Sequence, residues 1–318
     1  MLPSVLPTET DHVPVLADEV LTALAPRPGQ TIIDCTFGAG GHSTLLAARL
    51  RGDGKLIAID RDPTVAPYFE RLRRSTPAKV RLLHGEFSQV LEQLASNGVQ
   101  ADAILLDLGV SSMQLDRPER GFSYAADAAL DMRMDPSAEL TASDVVNETS
   151  ERELADIFRR YGEERYSRQI ARAIVKRRAK QPFERTGDLV EVVKQAIPGP
   201  ARFGEGHPAK RVFQALRIEV NDELGSLERA LPAALEMLRP GGKLAVISFH
   251  SLEDRIVKRF LRNEEHGCTC PPDFPICACG ASPTLRATPR RAIRPSTAEV
   301  ARNPRSQSAR LRAAVKLG

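Results

Sequence analysis

The sequence predicts an α/β protein: a doubly wound parallel sheet with a helical subdomain inserted between its fourth and fifth strands. Three observations predict it. Short apolar, β-branched runs occur at 31–34, 55–60, 80–85, 101–109 and 243–249, continuous enough for strands covered on both faces. Segments of helical length separate the first four, and strand alternating with helix gives a parallel sheet. About a hundred residues then pass without a strand-like run, far beyond an ordinary connection.

Composition agrees with a globular protein. Of 318 residues, 42% are hydrophobic and 27% charged, which excludes disordered, collagen-like and fibrous chains. No stretch reaches the ~18 uncharged apolar residues of a membrane helix, and the N-terminus lacks the pattern of a secretory signal. A cytosolic protein without a membrane partner is expected. The 45 basic and 41 acidic residues are unevenly placed. Residues 281–318 hold nine basic residues against Glu299 alone, a net +8 that leaves the other 280 at −4. Such a tail points to a polyanionic partner, or is simply a solvated tail.

TIID (31–34) opens the sheet and runs into DCTFGAGGHST (34–44), a Gly-rich turn followed by a helix from about Ser43. Glycine there permits positive φ or close approach of a ligand, and amides at a helix start hold carboxylate or phosphate. KLIAID (55–60) ends in Asp60, 22 residues after Gly38, near the offset at which an acid grips ribose hydroxyls. A dinucleotide and S-adenosylmethionine both fit these features. The G-A-G-G spacing departs from G-x-G-x-x-G, and Asp34 would repel a pyrophosphate but suit a cationic amino group, so the methyl donor is favoured.

A helix is expected from Asp62–Pro63, and another over 88–98 with Ser88 as N-cap and Gly98 as stop. The fourth strand ends in Asp107 and the fifth in Ser248-Phe249-His250-Ser251, at the carboxyl edge where open α/β sheets bind ligands. Ser251 is a candidate cap for the helix that follows. The insertion, 113–210, is helical, and the core helix before the fifth strand is placed from Val212. Seven basic residues and no acid lie between Arg165 and Lys180, with Tyr166, Ile170 and Ile174 as an apolar stripe. The basic face, Arg165 and Arg172 included, is either solvated or meets phosphates.

Of five cysteines, Cys268, Cys270, Cys277 and Cys279 form CxC–x6–CxC around Pro271, Pro272 and Pro275. Four thiolates on a tight loop could build a structural zinc site, although CxxC is the usual spacing; free thiols or disulfides are the alternatives. Cys35 is expected to be buried and inert.

The motifs HVPVLADEV (12–20), TFGAGGHS (36–43), AIDRDP (58–63), LLDLGVSSMQLD (105–116), RGFSY (120–124), LDMRMD (130–135), YGEER (161–165), ISFHSLEDRIVKRF (247–260) and NPRSQSARLR (303–312) occur in order. In these the chain closely resembles the bacterial small-subunit ribosomal RNA (cytidine-N4) methyltransferase family, RsmH or MraW. The resemblance implies a class I methyltransferase core, formed by 1–112 and 211–318, with 113–210 as the inserted substrate-recognition subdomain. It implies S-adenosylmethionine as donor and the exocyclic amine of a cytidine in the decoding region of 16S rRNA as acceptor, within the small ribosomal subunit. Carried over by motif, Gly40, Gly41, His42, Asp60, Phe87, Asp107 and Gln114 would hold the donor. Asp107 and the backbone to Ser112, with His250, would orient the amine; Ser111, Ser112, Arg165 and Arg172 would contact substrate. The tail motif departs from the family pattern at Ser306-Gln307, which removes one phosphate contact. A catalytically silent RNA-binding module and a nicotinamide-dependent dehydrogenase are the competing readings. A homodimer is compatible with the sequence, which does not set the oligomeric state.

Overall fold

The structure, a computed structural model, describes residues 14–199, 206–267, 270 and 279–318. They form two compact units, one of residues 1–60, 64–109 and 228–318, the other of 61–63 and 110–227.

The first unit is built on seven strands: β1 (Thr31–Asp34), β2 (Lys55–Asp60), β3 (Lys79–His84), β4 (Ala101–Asp107), β5 (Leu238–Ser248), β6 (Leu285–Ala287) and β7 (Arg310–Lys316). Their order is β3-β2-β1-β4-β5-β7-β6. The first five are parallel, while β7 runs antiparallel to β5 and to β6. This is the doubly wound sheet that the sequence predicts, with an antiparallel edge added by β7 and β6. Helices α1 (Ala17–Leu24), α2 (Gly41–Leu50), α3 (Ala66–Ser75) and α4 (Phe87–Ser96) accompany the parallel strands. Ile32, Ile33, Leu56, Ile59, Ile104, Leu105 and Val246 are fully buried, as strands covered on both faces require. β3 differs: it is a sheet edge and alternates between exposed and half-buried residues, so 80–85 is not covered on both sides.

The second unit holds α5 (Ser112–Leu115), α6 (Ala142–Glu148), α7 (Glu151–Gly162), α8 (Ser167–Arg178), α9 (Thr186–Ala196) and α10 (Lys210–Asn221). Its core includes Phe158, Ile170, Ile174, Phe183 and Leu216. Ile170 and Ile174 are the stripe read from α8, with Tyr166 half-buried against them. Val212 and Phe213 lie in the same cluster, so the helix assigned to the sheet from Val212 packs with the helical unit. It is the next helix, α11 (Glu223–Met237), that leads into β5.

Two caps differ from expectation. α4 starts at Phe87, and its cap is Glu86, whose carboxylate accepts from the amides of Ser88 (2.9 Å) and Gln89 (3.3 Å). In α12 (Ser251–His266) the N-cap is His250 rather than Ser251. There Glu253 does the capping, its Oε2 accepting from the amides of Phe249 (2.8 Å) and His250 (3.1 Å). A carboxylate reaching back from the third helical position is the capping-box arrangement. Among the described residues no helix is long and apolar enough to cross a membrane.

Candidate active site

The strand order reverses between β1 and β4, which opens a crevice beyond their carboxyl ends. The loop after β1 is tied to the ends of two strands, β4 and β2. The Cys35 amide donates to the Leu105 carbonyl of β4, and the Asp107 amide to Thr36 Oγ1 (2.7 Å). Towards β2, Phe37 N–H donates to the Ile59 carbonyl and Gly38 N–H to Asp60 Oδ2 (2.7 Å). Asp60 therefore already spends one oxygen on the loop.

The glycines of this loop are explained by packing as well as by ligand approach. Gly40 has φ 81°, and a Cβ on it would lie 2.8 Å from the Phe37 ring; one on Gly41 would lie 3.2 Å from Pro14. No side chain caps α2, an arrangement that leaves a helix start able to bind an anion. Asp34 is buried: Oδ1 accepts from Thr36 N–H (3.1 Å) and Oδ2 from Ser43 Oγ–H (2.7 Å). Burial pushes its carboxyl up, against the pull of those hydrogen bonds. It braces the loop, so the cationic partner expected for it from the sequence does not fit. Cys35 is buried, and burial pushes its thiol well up, in line with an inert residue.

Asp107 ends β4. Its side chain keeps 26% of its surface, yet Oδ1 is sealed and has no hydrogen-bond partner. Oδ2 lies 3.5 Å from Nε2 of the buried His42. Burial pushes the Asp107 carboxyl well up, and the charges of Asp34 and Glu253 add to the shift. On the neighbouring strand Ser248 Oγ is also buried without a hydrogen bond. Two residues on, the His250 side chain is 10% exposed; neither ring nitrogen is hydrogen-bonded, although Nε2 comes within 3.2 Å of Glu253 Oε1. Phe87, half-buried, opens α4.

The sequence did not single out Thr36 or Glu253. Only the His250-to-Glu253 spacing, an N-cap followed by an acid at the third position, carried a readable signal.

Other sequence candidates lie in the helical unit. Ser111 caps α5, accepting from Gln114 N–H, while Gln114 Oε1 accepts from Ser111 N–H (3.1 Å). Gln114 Nε2 donates to Asp62 Oδ2 (3.1 Å), which also takes Arg120 (2.8 Å). Both ends of the Gln114 amide are thus engaged within the unit, and Ser112 is the first residue of α5. Arg165 is exposed over the Tyr166 ring, and Arg172 is 3.5 Å from Glu151. Of the four clustered cysteines, Cys268 and Cys277 lie outside the described residues; Cys270 is half-buried and Cys279 exposed.

The model of the MraW methylase family matches residues 9–317. The chain belongs to that family. Curated relatives named ribosomal RNA small subunit methyltransferase H agree with it almost end to end. The protein from Heliobacterium modesticaldum is 54% identical over 96% of this chain and 98% of its own. That from Heliobacterium mobile is 52% identical over 97% and 100%, and that from Symbiobacterium thermophilum 51% over 96% of each.

Proposed function

We propose that the protein methylates N4 of a cytidine in the decoding region of 16S rRNA, within the small ribosomal subunit, using S-adenosylmethionine. The observation that carries the reading is Asp107: a carboxylate with one sealed, unpartnered oxygen at the end of β4, in a chain of a methylase family. The relatives' names supply the RNA class, and family membership favours a methyl donor over a nicotinamide.

The residues present fit such a donor. The unpartnered oxygens of Asp107 and Ser248 and the uncapped start of α2 ask for a polar ligand. Gly40, Gly41 and His42 would hold it at the loop, Asp60 at its ribose, Phe87 at its base, with Asp107 and Gln114 as further polar partners. When bound, the donor supplies an electrophilic methyl and keeps the electrons of the broken carbon–sulfur bond as a neutral thioether.

A cytosine amine is a poor nucleophile because its lone pair is delocalised into the ring. The exposed edge of the Asp107 carboxylate accepts a hydrogen bond from the amine, fixes the direction of its lone pair, and takes up the proton that the new N–C bond makes acidic. Its raised proton affinity makes it a stronger base for that task than an ordinary carboxylate. Alignment supplies several kcal/mol more of the acceleration, at an order of magnitude. Ser111, Ser112, Arg165 and Arg172 contact the RNA in this reading, and His250 joins Asp107 in orienting the amine. The target base has to be unstacked.

A structural zinc at the four clustered cysteines, as against free thiols or disulfides, is tested separately by metal analysis of the purified protein. Calorimetric titration with S-adenosylmethionine, then transfer of labelled methyl to small subunits lacking the modification, tests the function. Label on a cytidine amine is expected. Donor binding without transfer to any RNA would overturn the substrate, and saturable NADH binding instead would overturn the reaction class.

A further inference from the structure

The edge of the sheet away from the crevice carries charge that the active site does not use. Lys55 opens β2 and Lys79 opens β3, and the parallel register sets them side by side, about 4.8 Å apart. Arg81, two residues further along β3, stands on the same face of the sheet. All three are exposed, and none forms an ion pair among the described residues. Backbone hydrogen bonds fix the arrangement: the Lys55 amide donates to the Gln30 carbonyl (2.8 Å) and the Lys79 amide to the Gly54 carbonyl (2.9 Å).

Like charges on directly opposed sheet neighbours are destabilising, and the needs of the fold do not account for these three. Arg49 and Arg51 close α2, and Arg73 and Arg74 close α3, where cations complement the helix dipole; the strand residues have no helix end to complement. Charge on an edge strand blocks pairing with another sheet, which explains Lys79 and Arg81 on β3 but not Lys55 on the inner strand β2. Nor do the nearby acids neutralise them. Glu70 is taken by Arg73 (2.6 Å), and the Asp53 carboxylate lies against Gly29.

We propose that Lys55, Lys79 and Arg81 form a second phosphate-contact surface, which grips the backbone of a large folded RNA whose target base reaches the crevice. This rests on the RNA reading of the active site and deepens it. Lys55 lies five residues before Asp60 on β2, about 17 Å from the crevice end of the strand at 3.3 Å per residue. A short loop presenting one base to the crevice does not extend to the opposite end of the strands; a folded RNA does. The contact is therefore sequence-independent, made to phosphates only, and selects for the size of the substrate.

The test uses the full chain and the triple variant Lys55→Gln, Lys79→Gln, Arg81→Gln. Unmodified small ribosomal subunits and a short stem-loop carrying the target cytidine are the two probes, each titrated at several salt concentrations. The triple variant should bind subunits about tenfold more weakly or worse near physiological salt, and its salt slope should fall by about 1 for each charge removed. Its affinity for the stem-loop and for the donor should stay within twofold. Its melting temperature should be no lower than that of the wild type, because a repulsion has been removed. Lys79→Arg keeps the charge and should keep the affinity for subunits. An equal loss on the stem-loop would place the effect at the crevice and overturn the proposal, as would a lower melting temperature, which would make the charges part of the fold. Unchanged affinity for subunits with binding lost to vesicles of anionic lipid would give the charges to a membrane and overturn it as well. If the wild type methylates subunits and the triple variant keeps their affinity and slope, the surface is wrong and the function stands. If the wild type transfers methyl to no RNA, the function fails, and unchanged subunit affinity in the triple variant then overturns the surface too.

Discussion

A carboxylate oxygen sealed from water with no hydrogen bond is costly to keep ionised, and Asp107 has one. Burial, with Asp34 and Glu253 nearby, raises its folded carboxyl above the unfolded value. The folded protein therefore holds that proton more tightly, and stability is lost as pH rises through the folded value. Asp107→Asn removes the cost. A higher melting temperature than wild type is expected at pH 7, and no difference below the ordinary carboxyl range, where both states are protonated. Turnover should fall by about a hundredfold or more, with the acid limb of the wild-type pH profile displaced above ordinary Asp. Normal turnover with intact donor affinity sinks the assignment. Position alone marked Asp107 in the sequence, because a strand end before Leu-Gly-Val is legible. What was not legible is which oxygens are already used. Asp34 looked like a ligand for a cation and is a brace between Thr36 and Ser43, and Gln114, read from its motif as a donor contact, also closes a capping box.

At the scale of elements, parallel strands announced themselves by unbroken apolar runs, whereas β7 did not. Its sequence, RLRAAVK, alternates basic and apolar residues inside a tail of net +8, which reads as a solvated arm. Its register beside β5 and the burial of Leu311, Ala313 and Ala314 show otherwise. The charges are absorbed locally. Arg312 Nε and Arg310 Nη1 donate to Asp254 on α12 (2.7 and 2.8 Å), and Lys316 Nζ to the carbonyl of Leu235 (2.8 Å). Burial alone would raise the Asp254 carboxyl, but the hydrogen bonds from Arg312 and Arg310 outweigh it and hold the group below its ordinary value. A depressed folded carboxyl contributes stability above its unfolded value and loses it as pH falls through the folded one. Asp254→Asn should therefore cost about 2 kcal/mol at pH 7, the range for hydrogen bonds to charged groups, and less at about pH 2. Urea unfolding at the two pH values measures the difference; an equal penalty at both would mean that the ion pairs do not fasten β7.

For the whole molecule, the sequence's basic clusters have to be divided into charges that hold the fold and charges left for a polyanion. The tail keeps Arg310, Arg312 and Lys316 for itself. In α8, Arg178 donates to the carbonyls of Val146 and Thr149 (2.7 Å each), and Arg177 packs over the Phe183 ring beside Asp188. Arg165, Arg168, Arg172 and Lys176 are exposed, and the last three recur every four residues along one side of the helix. The ion pair of Arg172 with Glu151 is 3.5 Å long with the arginine 78% exposed, so it holds Arg172 only weakly. Charges that serve the fold and charges that serve a partner thus respond to different measurements. Arg168→Gln with Arg172→Gln should leave stability within about 0.5 kcal/mol, as surface changes do. The same pair should weaken rRNA binding by tenfold or more near physiological salt, and reduce the slope of log affinity against log salt by about 1.4 for two phosphates on a single strand. KM for RNA should rise with kcat and donor affinity unchanged, because a phosphate contact held equally in ground and transition states is uniform binding. An unchanged salt slope would assign this face of α8 to solvent and leave the RNA to be held elsewhere on the molecule.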